Sequence, residues 1–235
     1  WQAISDQYAP AGLDGPIPRG AVGALLGVAD RFDTLAGLFA VGEIPSGSRD
    51  PFALRRAALA IVRICAELPL AVSLPLAVEQ ALTGRGSFLK GDRTEVLAAL
   101  RDFLLERERF YLTGAAGLSA DVVEAVLAAR WGVLPDDLAR ARALQAVRQE
   151  AVFADLATAF KRVRNIVSKS GPGSPDAKAL KEPAERELLA ALGGVESKVG
   201  TALAVSDHAA AVRALAELAA PLDCFFTDVL VMCDD

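Results

Sequence analysis

Rings are scarce in this sequence. Aromatic residues are 6% of the 235, against 53% hydrophobic overall, and 46 alanines make up much of the difference. A core of Ala, Leu and Val favours closely packed helices over sheets rich in rings and β-branched residues. Histidine is rarer still. His208 is the only one, so any Ser-His-Asp or Cys-His arrangement would depend on a residue in the helix start SDHAA, where a capping or surface role is the ordinary one. The three cysteines, Cys65, Cys224 and Cys233, form no CxxC pair. That excludes a zinc or disulfide framework and reads as small buried hydrophobes in a reducing compartment. Long apolar runs are missing too. No uncharged run exceeds 11 residues, far short of the roughly 20 that cross a bilayer, although mean hydropathy is +0.33. Positive charge is not in excess: the net charge is -5 and the pI about 5.1, so any nucleic-acid surface is a local patch.

Phosphate loops are absent as well. GLDGPIPRG and GPGSP lack the Lys-Ser/Thr or the flanking strand that such loops need. Asp30 and Asp33 lie one helical turn apart, a spacing that suits a divalent ion. Pairing with Arg31, Arg49 or Arg55, or capping of backbone, is the commoner use. No catalytic residue and no metal site is assigned.

What is present is helical periodicity. Residues 1–19 hold three prolines and read as an extended lead-in. A helix is expected from Gly20 to about Val41, with Leu25, Val28, Phe32, Leu35 and Phe39 on its inner face. Asp50 then Pro51 predict an N-cap and first turn for a helix through Ile64. Further helices are expected over Leu74–Leu82, Arg93–Leu112, from Ser119, from Pro135 to about Glu150, and over 152–169, 184–204 and 207–232. GRGSFLKGD (84–92) reads as a linker. The fold class is therefore all-α: two packed helical domains, 1–90 and 91–235, the second with lead helices over 93–134. The chain opens at Trp1 with no Met and no signal-like segment, and reads as a piece of a longer protein.

Residues 152–169 carry the cleanest pattern. Val152, Leu156, Phe160, Val163 and Val167 form one stripe. Lys161, Arg164, Asn165 and Lys169 fall away from it and Arg162 flanks it, with no acid between Asp155 and Asp176. A cationic ridge on an acidic protein suits a phosphate backbone, where each neutralised phosphate releases counterions. A solvated helix face is the plain alternative. Arg130, Arg140, Arg142 and Arg148 add cations on the preceding segment. Trp131 is a candidate to stack on an unpaired base, or else a buried tryptophan at a helix end.

Three blocks carry a family resemblance. VADRFDTLAGLFAVGEIPSGSRDPFALRRAAL (28–59), FKRVRNIVSKS (160–170) with LKEP (180–183), and PLDCFFTDVLVMCDD (221–235) resemble, in order, segments of the bacterial-type glycyl-tRNA synthetase β subunit. The resemblance implies an α2β2 ligase that joins glycine to tRNA. On that reading ATP and Mg act at the α subunit, this segment holds no cofactor, and the partners are tRNA(Gly) and the α subunit in the cytoplasm, with no membrane. It implies that 28–59 closes an HD-type helical domain, with Asp30 in the place of that pattern's last Asp, and that the latter half resembles a DALR-type anticodon-binding bundle. Leu230 and Cys233 depart from the family pattern by conservative swaps. Within this frame Lys161, Arg162, Arg164, Asn165 and Lys169 are expected to contact tRNA, with Arg130, Trp131 and Arg142 beside them. Asn165, both donor and acceptor, is the candidate base reader. Arg55 and Arg56 are expected to pair with Asp30, Asp33 or Asp50, or to touch the acceptor arm. A helical protein-binding adaptor, or an HD-type phosphohydrolase fragment with Asp30 as a ligand, are the competing classes.

Overall fold

The computed structural model describes residues 1–12, 14–167 and 180–229. Among these the regular structure is helical, and β pairing is limited to two isolated bridges, Ser46–Arg49 and Ser73–Val133. The chain separates into two compact units, Trp1–Ala141 and Arg142–Asp235. That division lies well beyond residue 90, because the helix after the 84–92 segment packs back onto those before it.

The first unit contains α1 (Gln2–Asp6), α2 (Ala21–Ala40), α3 (Leu54–Glu67), α4 (Leu74–Ala81), α5 (Arg93–Gly114), α6 (Ala120–Ala129) and most of α7 (Leu134–Val147). Helices α2, α3 and α4 all pack on α5, and α6 follows it as a hairpin. The core is leucine-rich: Leu35, Leu54, Leu74, Leu82, Leu100, Leu104, Leu112 and Leu134 are fully buried around the tilted pair Phe39 and Phe103, whose ring centroids lie 5.2 Å apart. Of the face expected on α2, Val28, Phe32, Leu35 and Phe39 are buried, while Leu25 is half exposed.

Polar contacts fix the lead-in segment, which is not wholly extended but begins with α1. Asp6 accepts from the Arg19 guanidinium at 2.7 Å, and that partner holds its carboxyl below the usual carboxylate range. Arg31 donates to the Gln7 carbonyl at 2.7 Å and Arg63 to the carbonyls of Gly12 and Gly15 at 2.8 and 2.9 Å. The approach is close enough to demand glycine. A Cβ at Gly23 would sit 2.9 Å from the Asp6 Cβ, and one at Gly27 2.9 Å from the Gln7 carbonyl oxygen.

Helix α3 starts three residues later than Asp50-Pro51 predict. Ala53 adopts a left-handed conformation at φ 56°, and the Asp50 carboxylate reaches over the turn to accept from the Leu54 and Arg55 amides at 2.8 and 3.0 Å. Asp50 is thus still the residue that satisfies the first turn. The 84–92 segment holds a 3-10 turn at Gly86–Phe88 and is tied to α2 by Lys90, whose amide donates to the Ala40 carbonyl at 2.7 Å.

The second unit contains the end of α7, then α8 (Ala151–Val167), α9 (Pro183–Ala204), α10 (His208–Ala216) and α11 (Ala219–Asp228). A single helix over 207–232 was expected. The helix instead breaks at Glu217–Leu218, between α10 and α11. Asp207, not His208, caps α10 by accepting from the Ala210 amide at 2.9 Å. Helix α9 opens with a reciprocal box between Glu182 and Glu185. The buried residues here are small: Ala159, Ala184, Val195, Ala202, Ala211, Ala214, Ala216 and Ala219. The larger apolar chains do not close over them. Phe160 and Val167, expected on the inner stripe of α8, are 63% and 55% exposed. With Phe153, Leu156, Leu192 and Leu222, Phe160 lines an open apolar cavity of about 590 Å³.

Cysteine placement is mixed: Cys65 is buried, Cys224 is exposed, and Cys233 lies outside the described residues. Among the described residues no helix is long and apolar enough to cross a membrane.

Candidate nucleic-acid interface

Helix α8 places Lys161, Arg162, Arg164 and Asn165 on exposed surface. The stretch is helical because Ala154, Ala157, Ala159, Lys161 and the arginines are strong helix formers whose apolar neighbours recur at helical spacing. Lys161 and Arg164 have no hydrogen-bond or ion-pair partner among the described residues. Arg162 behaves differently. It donates to Asp223 on α11 at 2.6 Å and lies over the Phe226 ring at 5.6 Å, so its guanidinium also braces α8 against α11. Lys169 falls outside the described residues. Asn165 is exposed, and Arg142, in the second half of α7, is exposed in the same unit without an ion-pair partner among the described residues.

Arg130 and Trp131 belong to the first unit. Arg130 is exposed and paired with Asp136. Trp131 is 7% exposed, and its indole Nε1 donates to Glu108 Oε2 at 2.8 Å. It is the buried form of tryptophan, its ring covered by Arg101 and lining a side cavity. Beside it Asp137, also fully buried, accepts from the Gly132 amide at 3.2 Å and from the Arg140 guanidinium. Burial first, and the neighbouring Asp137 charge second, push the Glu108 carboxyl up to about 8. Its Oε1 is buried, and hydrogen bonding to the Asp137 side chain further favours the protonated form. The sequence reading missed this buried acid pair. Its signal was nonetheless present: Leu100, Leu104, Glu108 and Leu112 recur every four residues on α5, and all four are fully buried.

The acids and bases of the 28–59 block pair otherwise than expected. Asp33 bonds Arg85, Arg55 donates to the Gly47 carbonyl at 2.8 Å, and Arg31 serves backbone carbonyls. Arg56 is exposed without an ion-pair partner among the described residues. Asp30 is exposed, and its carbonyl accepts from the Thr34 hydroxyl at 3.0 Å. Among the described residues no three His, Cys, Asp or Glu side chains converge as a metal site would require.

Comparison with known proteins then bears on the whole chain. A relative from Anaeromyxobacter dehalogenans (strain 2CP-C), named glycine–tRNA ligase beta subunit, is 44% identical over 237 residues, 99% of this chain and 34% of the relative. Relatives of the same name from Solidesulfovibrio magneticus and Acidobacterium capsulatum are 39% and 42% identical, covering all of this chain and 35% and 34% of their own lengths. The chain therefore spans about a third of the length of the curated relatives it matches. The sequence model described as glycyl-tRNA synthetase beta subunit matches residues 1–128. With more than half of its residues matched, this all-helical chain belongs to the glycyl-tRNA synthetase beta subunit family.

Proposed function

We propose that this segment serves a glycine–tRNA ligase by binding tRNA(Gly), with the exposed face of α8 as its phosphate-contacting surface. Lys161 and Arg164 carry the reading: two cations without ion-pair partners among the described residues, next to Asn165, on a protein of net charge -5. Lysine and arginine at this spacing neutralise successive phosphates and release counterions. An amide beside them can read a base edge by donating and accepting at once. Arg142 extends the cationic surface, and Arg162 contributes while bridging to Asp223. In this reading glycine activation with ATP and Mg takes place on an α subunit of an α2β2 assembly in the cytoplasm, and this segment presents the tRNA.

Fluorescence anisotropy tests it, with tRNA(Gly) and the same tRNA carrying a changed anticodon, each at two salt concentrations. The double variant Lys161→Glu, Arg164→Glu is expected to weaken binding at least tenfold and to flatten the salt dependence. Unchanged affinity in a variant of unchanged helicity refutes the assignment. A second reading, a helical adaptor that holds the assembly together, is favoured by one observation: the apolar cavity of about 590 Å³ lined by Phe153, Phe160 and Leu192. It expects α-subunit binding without RNA.

A further inference from the structure

In the first unit a second cavity, about 410 Å³, opens between α4 and α5 beside Trp131. Its size lies within the range of roughly 300–1,000 Å³ typical of small-ligand sites. Pro75, Val78 and Leu97 form apolar walls, Trp131 contributes an aromatic surface, and Glu79 and Arg101 bring opposite charges to the rim. The tryptophan is held rigid, because its indole N–H is committed to the buried Glu108 at 2.8 Å. The rim groups are not committed. Glu79 and Arg101 are exposed, and neither carboxylate nor guanidinium has a hydrogen-bond or ion-pair partner among the described residues. Arg101 rests over the Trp131 ring, with Cζ 5.7 Å from its centroid.

A fixed ring, an unengaged carboxylate and a guanidinium free to swing outward suit a planar ring with two adjacent donors and an attached anion. Among the nucleobases guanine alone offers an N1–H beside an exocyclic amine, the donor pair that a carboxylate accepts with both oxygens. Adenine and cytosine set a ring acceptor beside the amine, and uracil sets carbonyls on both sides of one N–H. We propose that this cavity binds a guanine nucleotide. Its base stacks on Trp131 in place of the Arg101 guanidinium, Glu79 accepts from its Watson–Crick edge, and Arg101 moves to the phosphate. The site is separate from the α8 surface and does not rest on the tRNA reading.

Two tryptophans make the test direct. Trp1 is 98% exposed, and Trp1→Phe leaves Trp131 as the one emitter, to be quenched by a stacked base. GMP is expected to quench it saturably below about 1 mM, with AMP, CMP and UMP at least tenfold weaker. Glu79→Gln should weaken GMP binding about tenfold and leave AMP within about twofold, and Arg101→Ala should weaken GMP but not guanosine. Lys161→Glu with Arg164→Glu should leave the quenching untouched. Absence of saturable quenching by GMP, equal binding of GMP and AMP, or indifference to Glu79→Gln would each overturn the proposal. A single-stranded tetranucleotide with one guanine identifies the source: tighter binding than GMP supports a guanine within an RNA strand, and equal or weaker binding supports the free nucleotide.

Discussion

Glu108→Gln isolates the effect of a single buried proton. In the folded chain the Glu108 carboxyl stays protonated up to about pH 8, because burial and the Asp137 charge both oppose its ionisation. Unfolded, it titrates near its ordinary value of 4.5. Between those two values the unfolded state has released a proton that the folded state retains. Ionisation then pulls the equilibrium towards unfolding, so stability falls as pH rises. The loss approaches 1.4 kcal/mol per pH unit, or about 3 kcal/mol between pH 5 and pH 7.5. Asp137 is raised as well, chiefly by burial, so the two acids titrate as a pair and the slope belongs to both. Glutamine keeps an oxygen to accept from the Trp131 indole and cannot ionise. Urea unfolding followed by tryptophan emission reads the difference, since Trp131 touches the substituted group and the exposed Trp1 changes little on unfolding. The wild type should lose stability steadily from pH 5 to pH 7.5 while the variant loses at least about 2 kcal/mol less. At pH 5 the linkage accounts for less than about 1 kcal/mol of difference between the two. Parallel slopes would show that Glu108 is ionised in the fold and that the physical account of this cluster is wrong.

Gly27→Ala should cost about 1–3 kcal/mol, because the added methyl lies 2.9 Å from the Gln7 carbonyl oxygen; thermal melts measure it, and an unchanged Tm would mean that α1 yields without penalty. Cys224 should react with a maleimide much faster than Cys65, since the first is exposed and burial pushes the second thiol up to about 12; peptide mapping by mass spectrometry reads each site. Asp50→Ala should cost about 1 kcal/mol by orphaning the Leu54 and Arg55 amides, seen as a lower midpoint in urea.

Local rules made much of the helical order legible. Gly20 to Val41, Leu74 to Leu82 and Arg93 to Leu112 lie within two residues of the observed helices because each combines strong apolar periodicity with a breaker or cap at its ends. The failures also have physical causes. Asp50-Pro51 looks like a helix start, yet the chain makes a turn through Ala53 first, and a side chain that caps across a turn has the same local sequence as one that caps directly. Pro221 was the signal for the break at Glu217–Leu218: it has no N–H to give the Glu217 carbonyl, so it ends α10 and fits only the first turn of a new helix. The 84–92 segment has the composition of a linker, and only tertiary contacts reveal that it lies against α2. At the candidate interface, charge pattern was enough to find the exposed Lys161 and Arg164. It could not show that Arg162 pairs with Asp223, 61 positions away, nor that Trp131 faces a buried glutamate. Long-range partners of polar groups are what a single sequence encodes least directly.

The two arginines that grip the lead-in segment also bear on how this fold can be cut. A truncation at Gly20, just before the long helix α2, would follow secondary structure and look harmless on a diagram. It would remove the Gln7, Gly12 and Gly15 carbonyls that Arg31 and Arg63 donate to, leaving Arg31 only the Gly27 carbonyl and Arg63 only Glu67. Each of the lost hydrogen bonds, made by a charged group, contributes about 1.5–3 kcal/mol. The glycine-lined groove on α2 would be bared at the same stroke. The first nineteen residues therefore act as a structural insert of the first unit, and a minimal fragment for expression should retain them whole.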